Sequence, residues 1–252
     1  MNYLLKPVLG NLFKQKAVYL LLGITLFPFL IIVASLIDTN FMQLTGNANS
    51  ISILEFISAI VATQHQFIFP FIILAYLAAN LFYDEIKSGR LILFKDTKRH
   101  KILSAKRAAL FIVFLLYFAL LCATVTVTYV AHLDHLAIAT HTIFPASLLE
   151  TQRVVLEILG YLFTELIALS LALTASTILT GGYTILIVIF YQLLSMLAPK
   201  LSTLRYFFPT GYKTLAESGD FAGNMLAICG ILIVSLLLSR WIAARIFKRI
   251  EY

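Results

Sequence analysis

The chain has 252 residues, 61% of them hydrophobic and only 12% charged, with a formal net charge of +7. Soluble domains average about 45–50% apolar and about 25% charged residues, so this composition excludes an ordinary water-soluble domain. The two cysteines, Cys122 and Cys229, fall inside apolar stretches, which argues against a disulfide framework.

The segment Tyr3–Lys16 reads as a short amphipathic helix. Leu4, Leu5, Val8, Leu9, Leu12 and Phe13 recur at helical spacing, and Lys6, Asn11, Lys14 and Gln15 fill much of the other face. Such a helix lies in a membrane interface or docks on a partner. Six apolar stretches follow, at Ala17–Ile37, Phe67–Tyr83, Ala108–Val130, Val154–Ile178, Tyr183–Ala198 and Phe221–Ser239. Crossing about 30 Å of hydrocarbon takes about 20 helical residues, so each is expected to span a bilayer, the fifth being the shortest. The first is longer than a signal-peptide apolar region and holds Pro28 in its middle. The fourth and fifth form one apolar run, divided at Gly181-Gly182, where adjacent glycines favour a turn.

Basic residues set the expected orientation. With the N-terminus in the cytoplasm, only Arg153, Lys200, Arg205 and Lys213 of the 19 Lys and Arg fall outside. Both termini are therefore expected in the cytoplasm. The excess of base follows from these loops lying against an anionic leaflet; the basic residues are spread over three segments with no nucleic-acid module, so no nucleic-acid partner is expected. Of the outer segments, Asp38–Gln66 is polar and Ala131–Arg153 is mixed. Pro199–Asp220 is too polar to span and too apolar for a free loop, as a short re-entrant hairpin would be.

The inner segment after the second span carries the densest motif. It reads Phe82-Tyr83-Asp84-Glu85-Ile86-Lys87-Ser88-Gly89-Arg90-Leu91-Ile92-Leu93, then Lys98-Arg99-His100-Lys101 and, at the start of the next span, Lys106. A pair of acids opens a short helix, where the helix dipole favours them. Glycine, a basic residue and an apolar triplet follow. A compact helix on a short tether could transmit force from a soluble subunit. This segment resembles the membrane subunits of ABC-2 type (type-two ABC) exporters: Glu85 and Gly89 match the opening of that family's loop, Leu91–Leu93 its apolar stretch, Lys98-Arg99 its basic region and Lys106 its final lysine. Arg90 stands where a small residue is usual, and Asp96-Thr97 where a proline is common. Six spans and an outer hairpin before the last span are similar as well. The resemblance implies a permease that dimerises, with a second copy or a related subunit, and couples through Asp84, Glu85, Ile86, Lys87, Gly89, Arg90 and Leu91 to a separate ATP-binding cassette subunit. ATP and magnesium would be bound by that partner, since no G-x-x-x-x-G-K-[ST] loop occurs here.

Glu165 is the one acid deep in a span, about midway along the fourth. A carboxylate there must be protonated, paired or facing water, and no Lys or Arg lies deep in another span to pair with it. It lines a substrate path or a proton-sensitive gate, or it is a hydrogen-bonded acid at a helix interface. Glu157, one turn after Arg153, is expected to pair with it. Ala168, Ala172 and Ser176 lie four residues apart and allow close helix packing. His132, His135 and His141 with Asp134 in the second outer loop match no recognised zinc spacing. His65 is expected at an interface, which leaves every histidine outside the span cores and argues against a membrane-embedded serine hydrolase; H-E-x-x-H is absent.

The expected fold is all-α: one transmembrane domain over residues 1–252, with six membrane helices, an N-terminal interfacial helix and a short cytoplasmic coupling helix. The expected function is the permease subunit of an ATP-driven exporter in the plasma membrane, moving an amphipathic peptide or drug-like molecule outward, with no enzymatic activity or cofactor of its own. A gradient-driven carrier using Glu165, or a non-transporting accessory or immunity protein, are the alternatives.

Overall fold

In the computed structural model, which describes residues 2–37, 49–89, 97–215 and 220–249, the apolar stretches fold as helices, and no strand occurs among the described residues. Five of these helices are long and apolar enough to cross a membrane: Phe69–Lys87, Arg99–His135, Leu148–Ala175, Gly181–Lys200 and Phe221–Phe247. The protein is thus an all-helical, membrane-embedded chain.

The first expected span is broken. Its halves, α2 (Lys16–Ile24) and α3 (Phe29–Leu36), meet at a bend of 57°. Pro28 has no N–H to continue the helical ladder. The turn before it is stabilised locally, since Thr25 Oγ1 donates to the Leu22 carbonyl at 2.6 Å, and the Thr25 carbonyl accepts from Thr124 Oγ1 at 2.6 Å. The amphipathic helix α1 (Asn2–Leu12) precedes them and packs along α7 (Arg99–Ala131), burying Leu4 and Leu12. Its apolar face is therefore taken up within the chain.

The stretch expected to be an outer loop ends in a helix, α4 (Ile53–Gln66). Ser52 and Glu55 form a reciprocal capping box at its start: the Ser52 N–H donates to Glu55 Oε2 at 2.8 Å, and the Glu55 N–H donates to Ser52 Oγ at 3.3 Å. Pro70 lacks the N–H that would bond Gln66, so the chain breaks at Phe67-Ile68 and resumes as α5 (Phe69–Ala79). A π-helical turn, Asn80–Asp84, and one short turn of helix, α6 (Glu85–Lys87), carry α5 to its end.

α8 (Leu148–Ala175) is the centre of the bundle and packs against α4, α5, α9 (Gly181–Leu197) and α10 (Phe221–Arg249). Ala168, Ala172 and Ser176 are fully buried, so the small-residue face serves packing within the chain. α9 starts at Gly181, and the turn lies just before the glycine pair rather than on it. α9 is polar inside and apolar outside: Thr184, Val188, Gln192 and Ser195 face the bundle, while Tyr183, Leu186, Phe190, Leu193 and Leu197 are exposed, as suits a lipid-facing surface. α10 exposes Leu226, Ile233, Val234, Leu237 and Leu238 and is tied down by hydrogen bonds. Ser239 Oγ donates to the Ser170 carbonyl at 2.8 Å and accepts from Arg107 at 3.2 Å, and Thr174 Oγ1 lies 2.6 Å from it.

Two ends of the bundle follow from this. Lys106, Arg107 and Arg240 mark a basic end. At the opposite end, residues 198–214 fold into 3-10 turns that form a hairpin between α9 and α10. The hairpin sits directly on α8: a Cβ at Gly160 would stand 2.9 Å from the Pro209 carbonyl oxygen.

Candidate functional site

The first cluster lies at the basic end. Lys106 in α7 is only 1% exposed. An ammonium removed from water costs several kcal/mol unless its donors are met. Its Nζ donates to Glu85 Oε2 at 2.6 Å and to the Leu81 carbonyl at 2.5 Å, and stands 5.1 Å from the centre of the Phe82 ring. The Glu85 N–H bonds the Phe82 carbonyl, which leaves the Leu81 carbonyl to the lysine.

The coupling segment differs from its expected form. Asp84 and Glu85 do not open a tethered helix; they close the long helix of the second span. A helix C-terminus disfavours acids, and Lys106 offsets this for Glu85. Asp84 and Lys87 are exposed, Ile86 is half-buried, and Lys87 Nζ lies 5.8 Å from the centre of the Tyr83 ring. Gly89 ends the helix with φ of +70°, a conformation that glycine adopts without strain, and its N–H bonds the Ile86 carbonyl at 3.2 Å. Arg90 and Leu91, together with the rest of the apolar triplet, lie outside the described residues.

The second cluster is inside the bundle, at the level of Glu165. Glu165 is 4% exposed and makes no hydrogen bond among the described residues. Its nearest charge-bearing neighbour is His65 of α4, whose Nδ1 is 3.9 Å from Glu165 Oε1. His65 is 2% exposed, so it is a core residue and not an interfacial one. Its ring packs on Tyr161 at 4.7 Å and on Phe71 at 6.0 Å between centroids. From α9, Gln192 Nε2 donates to the His65 carbonyl at 2.8 Å and reaches Nδ1 at 2.9 Å, while Ser195 Oγ is 3.1 Å from His65 Nε2. Tyr117 of α7 donates to Gln64 Oε1 at 3.4 Å. Gln64 Nε2 and Gln192 Oε1 are buried without a partner.

Composition hid this cluster because α4 is too polar to read as part of a span. The polar residues of α9, eight and three positions apart at Thr184, Gln192 and Ser195, were the sequence signal for an inward-facing side. The cluster also removes the ground on which a serine hydrolase was set aside, because a histidine does lie beside a buried serine and an acid. The hydrogen bonds themselves oppose nucleophilic chemistry. Ser195 Oγ donates to the Gln192 carbonyl at 2.7 Å. The Ser195 hydroxyl proton is thereby committed to a carbonyl, and Gln192 Nε2 stands 2.9 Å from Nδ1 and 3.2 Å from Nε2 of the imidazole that would have to accept it.

The hairpin is linked to this cluster. Thr210 Oγ1 donates to the Ser195 carbonyl at 2.9 Å. Lys213 Nζ donates to Glu157 Oε1 at 3.0 Å and to Tyr161 Oη at 3.1 Å. Glu157 therefore pairs with the hairpin and not with Arg153. Burial pushes the Lys213 ammonium down, but the Tyr161 phenol and the Glu157 carboxylate outweigh it and hold the group above the usual lysine range. In the loop after α7, His141 Nδ1 pairs with Asp134 at 2.8 Å, and no group of three potential metal ligands forms among the described residues.

Comparison of the chain with protein-family models, curated proteins and solved structures finds no match. The class defined by fold and sites is that of an all-helical membrane protein with, among the described residues, a buried lysine paired to Glu85 at its basic end and a polar cluster in its core.

Proposed function

We propose that this protein is the transmembrane subunit of an ATP-driven exporter of the ABC-2 type, working as a dimer with separate ATPase subunits in the plasma membrane. In this reading α2 and α3 together form a sixth, broken crossing. Both termini and the basic end face the cytoplasm, and the hairpin faces outward. The substrate is an amphipathic peptide or drug-like molecule.

The observation that carries the reading is the Glu85–Lys106 bond. Two residues of the loop motif, 21 positions apart, meet in a short buried ion pair. A push on the end of the second-span helix would therefore pass to α7 without slack. The exposed side chains Asp84 and Lys87 at that helix end are then the surface offered to an ATPase, and the hairpin between α9 and α10 supports the same architecture.

The test is purification from native membranes with identification of stoichiometric partners, followed by ATPase assay of the complex. A soluble protein with a phosphate loop, recovered near one per chain, is the expected partner. Asp84→Lys, at an exposed position, is expected to leave the fold intact and abolish ATPase stimulation. Recovery of the chain without any ATPase after gentle cross-linking would overturn the reading. Glu85→Lys is a poor test, because it would set two ammonium groups together and unfold the basic end.

A further inference from the structure

We infer that His65 and Glu165 form a proton-binding site, loaded from the hairpin end through a cleft between α4 and α8. The inference does not depend on the exporter reading.

The site is built from groups whose hydrogen bonding is incomplete. Glu165 lacks a donor among the described residues, and a carboxylate at that depth is stable only with one at hand. Its neighbour is the single side-chain type whose ordinary pKa lies near neutrality. Around the pair, the Gln192 Oε1 and Gln64 Nε2 atoms are buried and unsatisfied. A structural polar cluster satisfies its members; this one holds unused acceptor and donor capacity at the acid–imidazole contact.

A cleft approaches it from one side. A cleft of about 240 Å³ opens at the hairpin end between α4 and α8, lined by Glu55, Ser58, Glu150, Arg153 and Glu157. Ser58 Oγ in its wall is buried without a partner. Glu157, in the lining of the cleft, accepts from Tyr161 Oη at 3.3 Å, and the Tyr161 ring lies on His65. The other groups facing the pair are Tyr117 and Cys122 on α7, Gln192 and Ser195 on α9, Phe71 on α5 and Lys213 on the hairpin. Lys213 is held by Glu157 and Tyr161 on the cleft side, and among the described residues no Lys or Arg pairs with Glu165.

The proton balance is simple. A proton delivered as hydronium, which leaves as water, adds to the pair, forming one O–H on Glu165 or one N–H on the unprotonated ring nitrogen of His65, and a single negative charge is neutralised. Where Nδ1 takes it, the Gln192 amide must turn: Nε2 gives up its contacts with Nδ1 and with the His65 carbonyl, and the unsatisfied Oε1 comes round to accept the new N–H. Gln192 precedes Ser195 by one helical turn, and the Ser195 carbonyl holds Thr210 of the hairpin. Loading is thereby connected to the element that covers the cluster.

The experiment is infrared difference spectroscopy of the full chain in lipid nanodiscs, titrated from acid to alkaline pH. The expected result is a carboxylic C=O band that appears and disappears with pH, is lost in Glu165→Gln, and persists in Glu165→Asp. In His65→Gln the band should titrate with a midpoint shifted by about one pH unit. A Glu165 band constant at all pH, or absent at all pH, would overturn the proposal in favour of a fixed structural acid. So would a midpoint indifferent to His65→Gln in a variant whose helical circular dichroism matches the parent.

Discussion

Glu85 and Glu165 are both acids held by one helical bundle, and their surroundings are opposite. Glu85 is partly exposed, yet it is bound at 2.6 Å by a lysine that is itself fully enclosed. Glu165 is enclosed, yet the one ion-pair contact it makes among the described residues, with His65, is 3.9 Å long, and that nitrogen is already met by Gln192. A closed ion pair fixes geometry, whereas an open contact between two titratable groups leaves a proton free to come and go. The first suits transmission of force and the second suits exchange.

The comparison breaks most easily at the closed pair. Glu85→Ala strands the Lys106 ammonium in the bundle, and unpaired buried charges cost on the order of 3–5 kcal/mol. Thermal unfolding in detergent should show that loss, and the paired change Glu85→Leu with Lys106→Met should restore most of it. A Glu85→Ala protein as stable as the parent would mean that Lys106 finds another acceptor and that no rigid link exists. The contact between hairpin and core is next in size. Gly160→Val places atoms where the Pro209 carbonyl stands, an overpacking expected to cost about 1–3 kcal/mol. The hairpin should lift as it does so, raising the reactivity of a reporter cysteine introduced at Thr210, which is 4% exposed in the parent.

Much of the frame was legible in the residues. Long apolar runs give membrane-length helices whatever their partners, although the first, expected to run unbroken, is bent at Pro28. The helix α4 was not read from the sequence, because the polar composition of Asp38–Gln66 suggested a loop; its start is fixed by the Ser52–Glu55 capping box. The register of the second span was not legible, because nothing in the local sequence marks the π turn at Asn80–Asp84 or the contact of Lys106 with the Leu81 carbonyl beside it. The core cluster was half legible: Glu165 stood out alone in its span, while His65 and Ser195 become its neighbours through the depth at which α4 ends and α9 turns. Depth is a tertiary property, and residues 100 and 30 positions away from Glu165 carry no local sign of it.

Lys213 sharpens the contrast on the other side of Tyr161. Its ammonium is held above the usual lysine range by Tyr161 and Glu157 after burial has opposed them. A group whose folded pKa is raised contributes stability that is complete below its unfolded value and is lost as pH rises through the folded value. The hairpin should therefore loosen only in alkaline solution, above the ordinary lysine value of about 10.4. Lys213→Met should remove that step at a cost of about 1 kcal/mol or less, since the pair is partly solvated. Hairpin reactivity that already changes near neutral pH in Lys213→Met would assign the change to the His65–Glu165 pair.

The smallest expected effect is the most telling. Glu165→Gln keeps shape and volume and breaks no hydrogen bond, because Glu165 makes none among the described residues. Its effect on unfolding should stay below the ~1 kcal/mol of a single hydrogen bond, in contrast to Glu85→Ala. A large loss would mean that the carboxyl is a structural anchor like Glu85, and the distinction between the two acids would collapse. A negligible loss, together with disappearance of the titrating C=O band, leaves a buried acid that contributes little to holding the bundle together and whose proton exchanges with solvent. That combination is what separates a working group from a packed one.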